Sequence, residues 1–328
     1  MPIVVTTLLI SELGFYGLLV LILKSYVVYR FARTLGYVLL AIFIHHVAPL
    51  LRKECPKFER ARQKWTVITG CTDGIGKSIV WELTRRNFRK FLLISRSPEK
   101  LEEMKQQLLG VSPKLEVCTF AFDFASIDYQ PLRKFVSDFS VGFLINNVGI
   151  APTIMQEYHK QEVLNQKMFP VNVRSAMELI HYVLPSMVAA KDGIIVNVAS
   201  MQALRPMRLL SSYSASKVAL SYLSACLNDE YGSQGILVQC FTPVLVATKM
   251  TKYDKSATGF FVESADKYAR EAMNCVGITH MNGGCFNHDI QIAFFYLLPF
   301  WLLKRLILRP IYDYHRRRMD TCNVLRSG

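Results

Sequence analysis

The segment Thr69-Gly70-Cys71-Thr72-Asp73-Gly74-Ile75-Gly76 contains three glycines and joins a short apolar run to an amphipathic one. The run before it predicts a β-strand and the run after it a helix. Glycine lets the backbone turn tightly and approach a pyrophosphate, while a helix N-terminus supplies free N–H groups. The spacing is G-x-x-x-G-x-G rather than G-x-G-x-x-G, so the position between strand and helix carries the prediction of nucleotide binding. Cofactor contacts are expected from Gly70, Thr72, Asp73, Gly74, Ile75 and Gly76.

Outward from this turn, short β-rich runs alternate with amphipathic helical stretches. Such alternation predicts a parallel sheet covered by helices on both faces. We therefore expect an α/β fold, a doubly wound parallel sheet of the Rossmann-like type in a single catalytic domain, with N-terminal membrane-associated helices. Ser97 is predicted to cap the second helix, and Asn87 to end the first. Predicted strands span residues 66–69, 91–95, 115–122, 142–146, 193–198 and 237–242, and predicted helices lie near residues 75–86, 98–108, 126–138, 160–190 and 210–232.

The end of the second predicted strand indicates which nicotinamide cofactor the chain binds. A carboxylate there would accept a hydrogen bond from the ribose 2′-hydroxyl and select NAD(H). The sequence instead reads Leu92-Leu93-Ile94-Ser95-Arg96. The guanidinium of Arg96 can pair with a 2′-phosphate, although a solvated arginine at a helix start is the simpler alternative. We therefore predict NADP(H).

The run Tyr213-Ser214-Ala215-Ser216-Lys217 places a phenol and an ammonium four residues apart, on one face of a predicted helix. A nearby positive charge favours phenolate, so Lys217 is expected to lower the pKa of Tyr213 from about 10 toward working pH. Such a phenol can protonate a carbonyl oxygen as hydride arrives, or take that proton back in oxidation. Ser200 follows a predicted strand, and its hydroxyl can donate to the same oxygen. Taken singly, Ser200 is a loop serine and Tyr213 a helix tyrosine.

Together these residues resemble the short-chain dehydrogenase/reductase superfamily over about residues 65–248. The matching pieces, in the family's order, are the glycine turn, Asn146-Asn147-Val148-Gly149, Asn172, Ser200 and Tyr213-x-x-x-Lys217. The resemblance implies that Asn172 and Lys217 hold a proton-relay water, and that Lys217 binds the nicotinamide ribose beside Tyr213. The remaining cofactor contacts that it implies are Asp123 at the adenine end, Asn147 supporting the sheet beside the cofactor, and Thr248 at the carboxamide.

Four shorter stretches look like the microsomal 17β-hydroxysteroid dehydrogenases of types 3 and 12. They are Thr72-Asp73-Gly74-Ile75-Gly76-Lys77, Ile94-Ser95-Arg96, Leu184-Pro185-Ser186-Met187 and Val246-Ala247-Thr248-Lys249-Met250. The type 12 members are the very-long-chain 3-oxoacyl-CoA reductases. The resemblance implies reduction of a ketone on a steroid or a long acyl chain at the endoplasmic reticulum membrane. Pro243-Val244 replaces the superfamily's usual Pro-Gly, a departure that this subgroup shares.

Apolar runs flanked by basic residues indicate membrane lipids as a partner, in a chain with a net charge of +14 and a mean hydropathy of +0.22. Residues 3–23 are long enough to span a bilayer, with a cleaved signal peptide as the competing interpretation. Residues 35–51 are expected to lie in the interface or to re-enter, and residues 290–303 to form an amphipathic lid or an interfacial helix. The basic flanks predict that the rest of the chain is cytosolic. A nucleic-acid partner is not predicted, because no basic stripe on an aromatic platform is found.

Eight cysteines are scattered without a C-x-x-C pair, so no metal site is predicted. The predicted organisation has three parts. Residues 1–60 form a membrane anchor and basic linker, and residues 61–288 the catalytic domain. Within it, residues 249–288, with Phe260, Phe261 and Tyr268, are expected to form a substrate lid. Residues 289–328 form the apolar interfacial helix and a basic tail.

The leading hypothesis is reduction of a lipophilic ketone, either a long-chain 3-oxoacyl-CoA or a 17-ketosteroid, by hydride transfer from NADPH. Tyr213 is the predicted general acid in a catalytic set with Asn172, Ser200 and Lys217. One alternative is a catalytically silent, cofactor-binding membrane scaffold. Another is an enzyme that oxidises a hydroxysteroid or retinol. The expected location is the endoplasmic reticulum membrane with the catalytic domain facing the cytosol, and a homodimer is an open option.

Overall fold

The structure is a computed structural model that describes residues 2–52, 54–153, 155–253, 255–310, 313–314 and 317. Its centre is a sheet of seven parallel strands in the order β3-β2-β1-β4-β5-β6-β9. The order reverses between β1 and β4, which makes the sheet doubly wound as predicted. The strands are β1 (Trp65–Thr69), β2 (Lys90–Ser95), β3 (Glu116–Ala121), β4 (Val141–Asn146), β5 (Gly193–Val198), β6 (Ile236–Phe241) and β9 (Met281–Asn282).

Helices cover both faces of this sheet because nearly every residue of its central strands is buried and most are apolar. One face packs against α4 (Gly74–Arg85), α5 (Pro98–Val111) and α10 (Ala265–Cys275). The other packs against α6 (Gln130–Ser137), α8 (Ser175–Ala190) and α9 (Ser211–Tyr231). The predicted helix signals are confirmed, since Ser97 Oγ accepts from Lys100 N and Asn87 adopts φ 65°.

The helix predicted over residues 160–190 is present, but a π-helical turn interrupts its α-helical pattern. It divides into α7 (Glu162–Phe169), a π-helical turn (Pro170–Arg174) and α8. Pro170 lacks an N–H and so interrupts the regular helical ladder at this point. The wider turn carries Asn172, and such turns are frequent at functional sites.

The lid predicted over residues 249–288 is partly wrong. Only its first part lies near the strand ends, where β8 (Val262–Ser264) pairs with β7 (Leu245–Ala247) in a separate small sheet. Residues 265–288 belong to the core, since α10 packs on α4 and β9 extends the main sheet. Tyr268 is fully buried against Gly284 instead of shaping a pocket, whereas Phe260 and Phe261 are exposed.

The N-terminal apolar runs lie in α1 (Pro2–Ile42), which is helical across the expected boundary between residues 23 and 35. It is kinked at Gly14, and it continues through a π-helical turn (Phe43–Val47) into α2 (Ala48–Leu51). The stretch Tyr16–Leu51 is long and apolar enough to cross a membrane. A short helix, α3 (Phe58–Ala61), then leads into β1.

The third apolar run packs on the N-terminal helix, because α11 (Phe286–Leu297) contacts α1. Arg30 donates to the carbonyls of Leu297 and Leu298, and the ring of Tyr37 stacks on Tyr296 at 4.8 Å. The chain continues through α12 (Phe300–Leu303) and a π-helical turn (Lys304–Leu308). Most of the predicted basic tail lies outside the described residues.

Candidate active site

A cleft of about 490 Å³ opens at the carboxyl ends of the parallel strands. This is the edge at which open α/β sheets bind their ligands, and the volume is that of a small-molecule or cofactor site. The predicted site residues that line it are Gly70, Thr72, Asp73, Gly74, Ile75, Arg96, Asp123, Asn147, Ser200, Tyr213, Lys217 and Thr248. Gly76 and Asn172 lie behind this lining.

The glycine turn has the geometry that its sequence predicts. Gly70 and Gly74 adopt φ +63° and +53°, a region that side chains with a Cβ rarely occupy. Asp73 begins α4 as its N-cap, where its Oδ1 accepts from Gly74 N at 2.7 Å. The first turn of α4 therefore directs its free N–H groups toward the cleft, as an anion-binding turn requires.

Gly76 allows close packing behind the cleft. A Cβ at this position would stand 2.3 Å from Gly70 O and 2.4 Å from Asn147 Nδ2. Asn147 Nδ2 donates to the carbonyls of Thr69 and Gly70, at 3.0 and 3.1 Å. Asn147 thus links the end of β4 to the glycine turn, so it has a supporting role beside the cleft.

Arg96 and Asp123 lie at the outer end of the cleft, and both side chains are exposed. Arg96 directly follows β2, and the adjacent Ser95 Oγ lies 3.1 Å from Thr72 Oγ1. This end of the cleft therefore offers a guanidinium and two hydroxyls. Asp123 Oδ1 accepts from Ala125 N at 3.0 Å, which orders the turn after β3.

Ser200 and Tyr213 meet at the inner end. Ser200 follows β5 and begins a short 3₁₀ turn, and its hydroxyl contacts the carboxamide of Gln202. Burial raises the pKa of Tyr213, while its hydrogen bond with Ser200 acts in the opposite direction. The phenol is therefore protonated at neutral pH and in position to donate.

Lys217 lies one helical turn beyond Tyr213, with its Nζ 5.7 Å from the tyrosine ring centroid. The Nζ donates to Val198 O at 2.9 Å, and burial lowers the pKa of Lys217 to about 8. The pKa of Tyr213 is therefore raised, not lowered as expected, because loss of water contact is the larger effect on the phenol.

Asn172 is almost fully buried and joins three segments. Its Oδ1 accepts from Ile150 N at 2.7 Å, and its Nδ2 lies 3.0 Å from both Ile150 O and Ser216 Oγ. Gly149 is the point at which Asn172 and Lys217 approach each other, since a Cβ there would lie 3.4 Å from Asn172 Oδ1 and from Lys217 Nζ. Asn172 thus fixes the backbone at Ile150, next to the amine of Lys217.

Two contacts of the site were missed from the sequence. Gln202 holds the Ser200 hydroxyl, and Lys249 Nζ lies 3.0 Å from Asp73 Oδ2 across the cleft. The closeness of Gln202 to the predicted Ser200 was the only available signal for the first contact. The second joins segments that are distant in sequence, so no local pattern announces it.

Comparisons with known proteins agree with this geometry. Residues 64–259 match the model of the short chain dehydrogenase family. A putative steroid dehydrogenase 1 of Caenorhabditis elegans is 38% identical, over 76% of this chain and 80% of the relative. A very-long-chain 3-oxoacyl-CoA reductase of the same organism is 37% identical, over 83% of this chain and 87% of the relative.

A solved structure is similar as well. It is a short-chain dehydrogenase from Sphingobium yanoikuyae in complex with NADPH, with a TM-score of 0.58 and 25% sequence identity. The match covers 64% of this chain and 82% of that chain.

Proposed function

The chain belongs to the short-chain dehydrogenase family, and we propose that it reduces a ketone on a lipophilic substrate with NADPH. The observation that carries this proposal is that one cleft joins the glycine turn to Ser200, Tyr213 and Lys217. A purely structural protein would have no need to place a protonated phenol beside a hydroxyl and an amine in such a cleft.

The cleft is suited to NADPH along its whole length. The positive-φ glycines and the N-terminus of α4 would hold the pyrophosphate. Arg96 would hold the 2′-phosphate, since no carboxylate follows β2 at this point. Bound NADPH would supply the hydride for the carbonyl carbon. Asp123 and Thr248 also line the cleft, and we assign them to the adenine and the carboxamide, respectively.

The protein's own groups would handle the proton. Tyr213 donates its phenolic proton to the ketone oxygen, and Ser200 donates a hydrogen bond to the same atom. The ammonium of Lys217 favours the phenolate that results and holds the nicotinamide ribose. Asn172 keeps the backbone at Ile150 in place. Together with Lys217, it would hold a water through which the phenolate regains a proton.

A lipophilic substrate is supported by the mouth of the cleft and by the anchor. Ile150, Val244 and Met250 line the cleft, and Phe260 and Phe261 are exposed nearby in the segment between β7 and β8. The apolar stretch Tyr16–Leu51 would keep this mouth close to a membrane in which long acyl chains and sterols dissolve. The names of the two relatives include both substrate types.

We further assign the chain to the endoplasmic reticulum membrane, with the catalytic domain in the cytosol. The basic residues that follow the apolar stretch support this orientation, because positive charge is retained on the cytosolic side. They begin at Arg52 and continue through Lys57, Arg60, Arg62 and Lys64.

The test is NADPH oxidation by the detergent-purified full chain, with a long-chain 3-oxoacyl-CoA and a 17-ketosteroid offered separately. We expect turnover with at least one, and slower turnover when NADH replaces NADPH. The substrate with the higher kcat/KM identifies the class. Tight NADPH binding without oxidation by any ketone would contradict the proposal and favour a cofactor-binding scaffold.

A further inference from the structure

The hydroxyl of Ser200 has one proton and more than one acceptor within reach. Gln202 Oε1 accepts that proton in the structure, and Pro243 O lies 3.5 Å from the Ser200 oxygen. Ser200 also acts on the phenol of Tyr213, since it opposes the rise that burial causes in the pKa of Tyr213. While Gln202 Oε1 holds the Ser200 proton, Ser200 can only accept hydrogen bonds and cannot donate to a ketone oxygen.

The carboxamide of Gln202 is weakly held in this orientation. Its Nε2 donates to Met207 Sδ at 2.8 Å, and a thioether is a weak acceptor. The terminal torsion of glutamine is broad and nearly two-fold, so half a turn exchanges oxygen and nitrogen in the same space. After that rotation Nε2 donates to Ser200 Oγ, at the cost of one weak bond to sulfur.

We propose that Gln202 is a positioning residue whose carboxamide turns to donate to Ser200 Oγ and thereby directs the Ser200 proton to the substrate oxygen. This inference rests on the proposed ketone reduction. An N–H at Ser200 Oγ also makes Ser200 a better donor, because successive hydrogen bonds strengthen one another by about 10–30%. Gln202 is not among the described residues that line the cleft, so it acts through Ser200.

Two substitutions separate this role from simple packing. In Gln202→Glu, the ionised carboxylate only accepts, so it keeps the Ser200 proton, and we expect kcat to fall about 100-fold at neutral pH. Activity should recover as the pH falls toward about 5 and the carboxyl protonates. In Gln202→Met, which fills the same space without polar atoms, kcat should fall about tenfold with an unchanged pH profile. The KM for NADPH should be unchanged in both.

The phenol of Tyr213 gives a readout that needs no substrate. Its ionisation is followed by ultraviolet absorbance as the pH is raised. The absorbance of each variant is compared with that of the same variant carrying Tyr213→Phe, and the difference reports Tyr213 alone. Gln202→Glu should raise the pKa of Tyr213 by about one unit or more, because Ser200 no longer donates to the phenolate and a negative charge is near. Gln202→Met should change it little. Gln166→Glu, on the exposed face of α7, controls for the added charge.

Wild-type kcat and wild-type phenol titration in both variants would overturn the inference. Equal losses in the two variants together with weakened NADPH binding would also overturn it, because they indicate packing alone. A wild-type chain that reduces no ketone contradicts the proposed function, whereas the phenol titration still shows whether Gln202 controls the Ser200 proton.

Discussion

Tyr213 is the residue on which the proposed chemistry depends most directly, because it is the protonated group that faces the cleft beside Ser200. Tyr213→Phe removes only the hydroxyl, so we expect kcat to fall by about 10²–10⁴ while NADPH affinity changes little. Tyr222→Phe is the matched control, since Tyr222 lies on the same helix with its side chain 69% exposed. Steady-state kinetics and NADPH fluorescence titration measure both quantities. Retained turnover in Tyr213→Phe would assign proton donation to another group.

The reaction should slow at alkaline pH because Lys217 loses its proton. Burial lowers its pKa to about 8, so the ammonium that binds the ribose and favours phenolate is lost as the pH rises through that value. We expect kcat/KM for NADPH to fall above about pH 8, up to tenfold per pH unit. In Lys217→Arg the guanidinium stays charged, so this limit should disappear even if overall activity is lower. A limit near pH 8 that persists in Lys217→Arg would mean that another group titrates there.

The burial of Lys217 also makes the stability of the folded chain depend on pH. The pKa of Lys217 is lower in the folded chain than the ordinary 10.5, so the folded chain binds fewer protons between about pH 8 and 10.5. Burying Lys217 therefore costs stability that is largest below about pH 8 and declines as the pH rises. This destabilisation accompanies the position of Lys217 in the lining of the cleft, which its proposed role requires.

Arg96 should decide between the two nicotinamide cofactors. Its side chain is exposed after β2, where a carboxylate would instead accept from the ribose hydroxyls. Arg96→Asp should reduce the ratio of kcat/KM for NADPH over NADH by about 100-fold, through loss of a charge-assisted pair and repulsion of the phosphate. Lys100→Asp, on the exposed side of α5, makes the same charge change away from the ribose site. Equal ratios in the two variants would remove Arg96 from the 2′-phosphate site.

At the scale of elements, the glycine turn is the joint between β1 and α4. In Gly76→Ala the new Cβ would overlap Gly70 O and Asn147 Nδ2, so the turn has to shift. We expect a loss of about 1–3 kcal/mol in the free energy of unfolding and at least about tenfold weaker NADPH binding. Gly110→Ala, in α5 with open space around it, should be neutral or stabilising by up to about 1 kcal/mol. Thermal unfolding of both variants makes the comparison, and similar midpoints would show that the joint tolerates a methyl group.

The elements show how much of the fold the sequence could predict. Strands such as β1 and β5 were predictable because buried parallel strands are continuous apolar runs with turn residues at their ends. The two-residue β9 was not predictable, since two residues have no period. The π-helical turn that carries Asn172 lies inside an apolar run whose helical pattern continues on both sides, and only Pro170 marks it.

Some residues of the candidate site can likewise be predicted from the sequence, and others cannot. The glycine turn, Ser200 and Tyr213 are set by local spacing, so the sequence predicts that they belong together. Gln202 and the Lys249–Asp73 pair depend on how segments approach each other in space, which local spacing does not encode. The raised pKa of Tyr213 likewise follows from burial, which is a property of the assembled cleft.

On the scale of the whole molecule, α11 connects the anchor helix to the mouth of the cleft. His45, in the turn after α1, lies with its Nε2 2.7 Å from Asp289 Oδ2 on α11. From the same helix, His288 hydrogen-bonds Leu245 O at the start of β7, and Gln291 donates to Phe260 O before β8. The two strands at the mouth are therefore held by the helix on which the anchor packs, so the anchor can orient the mouth toward the bilayer.

The anchor helix should therefore have two separable roles. Its described residues before Arg30 are mostly exposed, whereas Thr34, Ala41 and Ile44 are buried against the catalytic domain. A chain begun at Lys24 should fold and reduce a water-soluble ketone like the full chain, but alkaline carbonate should extract it from membranes. The reason is that Arg30 and Arg33 interrupt the remaining apolar run, and the residues after them pack on α11. A chain begun at Glu54 should unfold at a lower temperature and lose activity, since α11 then exposes Tyr296 and the side chain of Asp289 loses His45.

Carbonate extraction, thermal unfolding and turnover are measured on all three chains. Resistance of the Lys24 chain to carbonate would show that residues 24–51 anchor it alone, and full stability of the Glu54 chain would show that α1 does not support the mouth of the cleft.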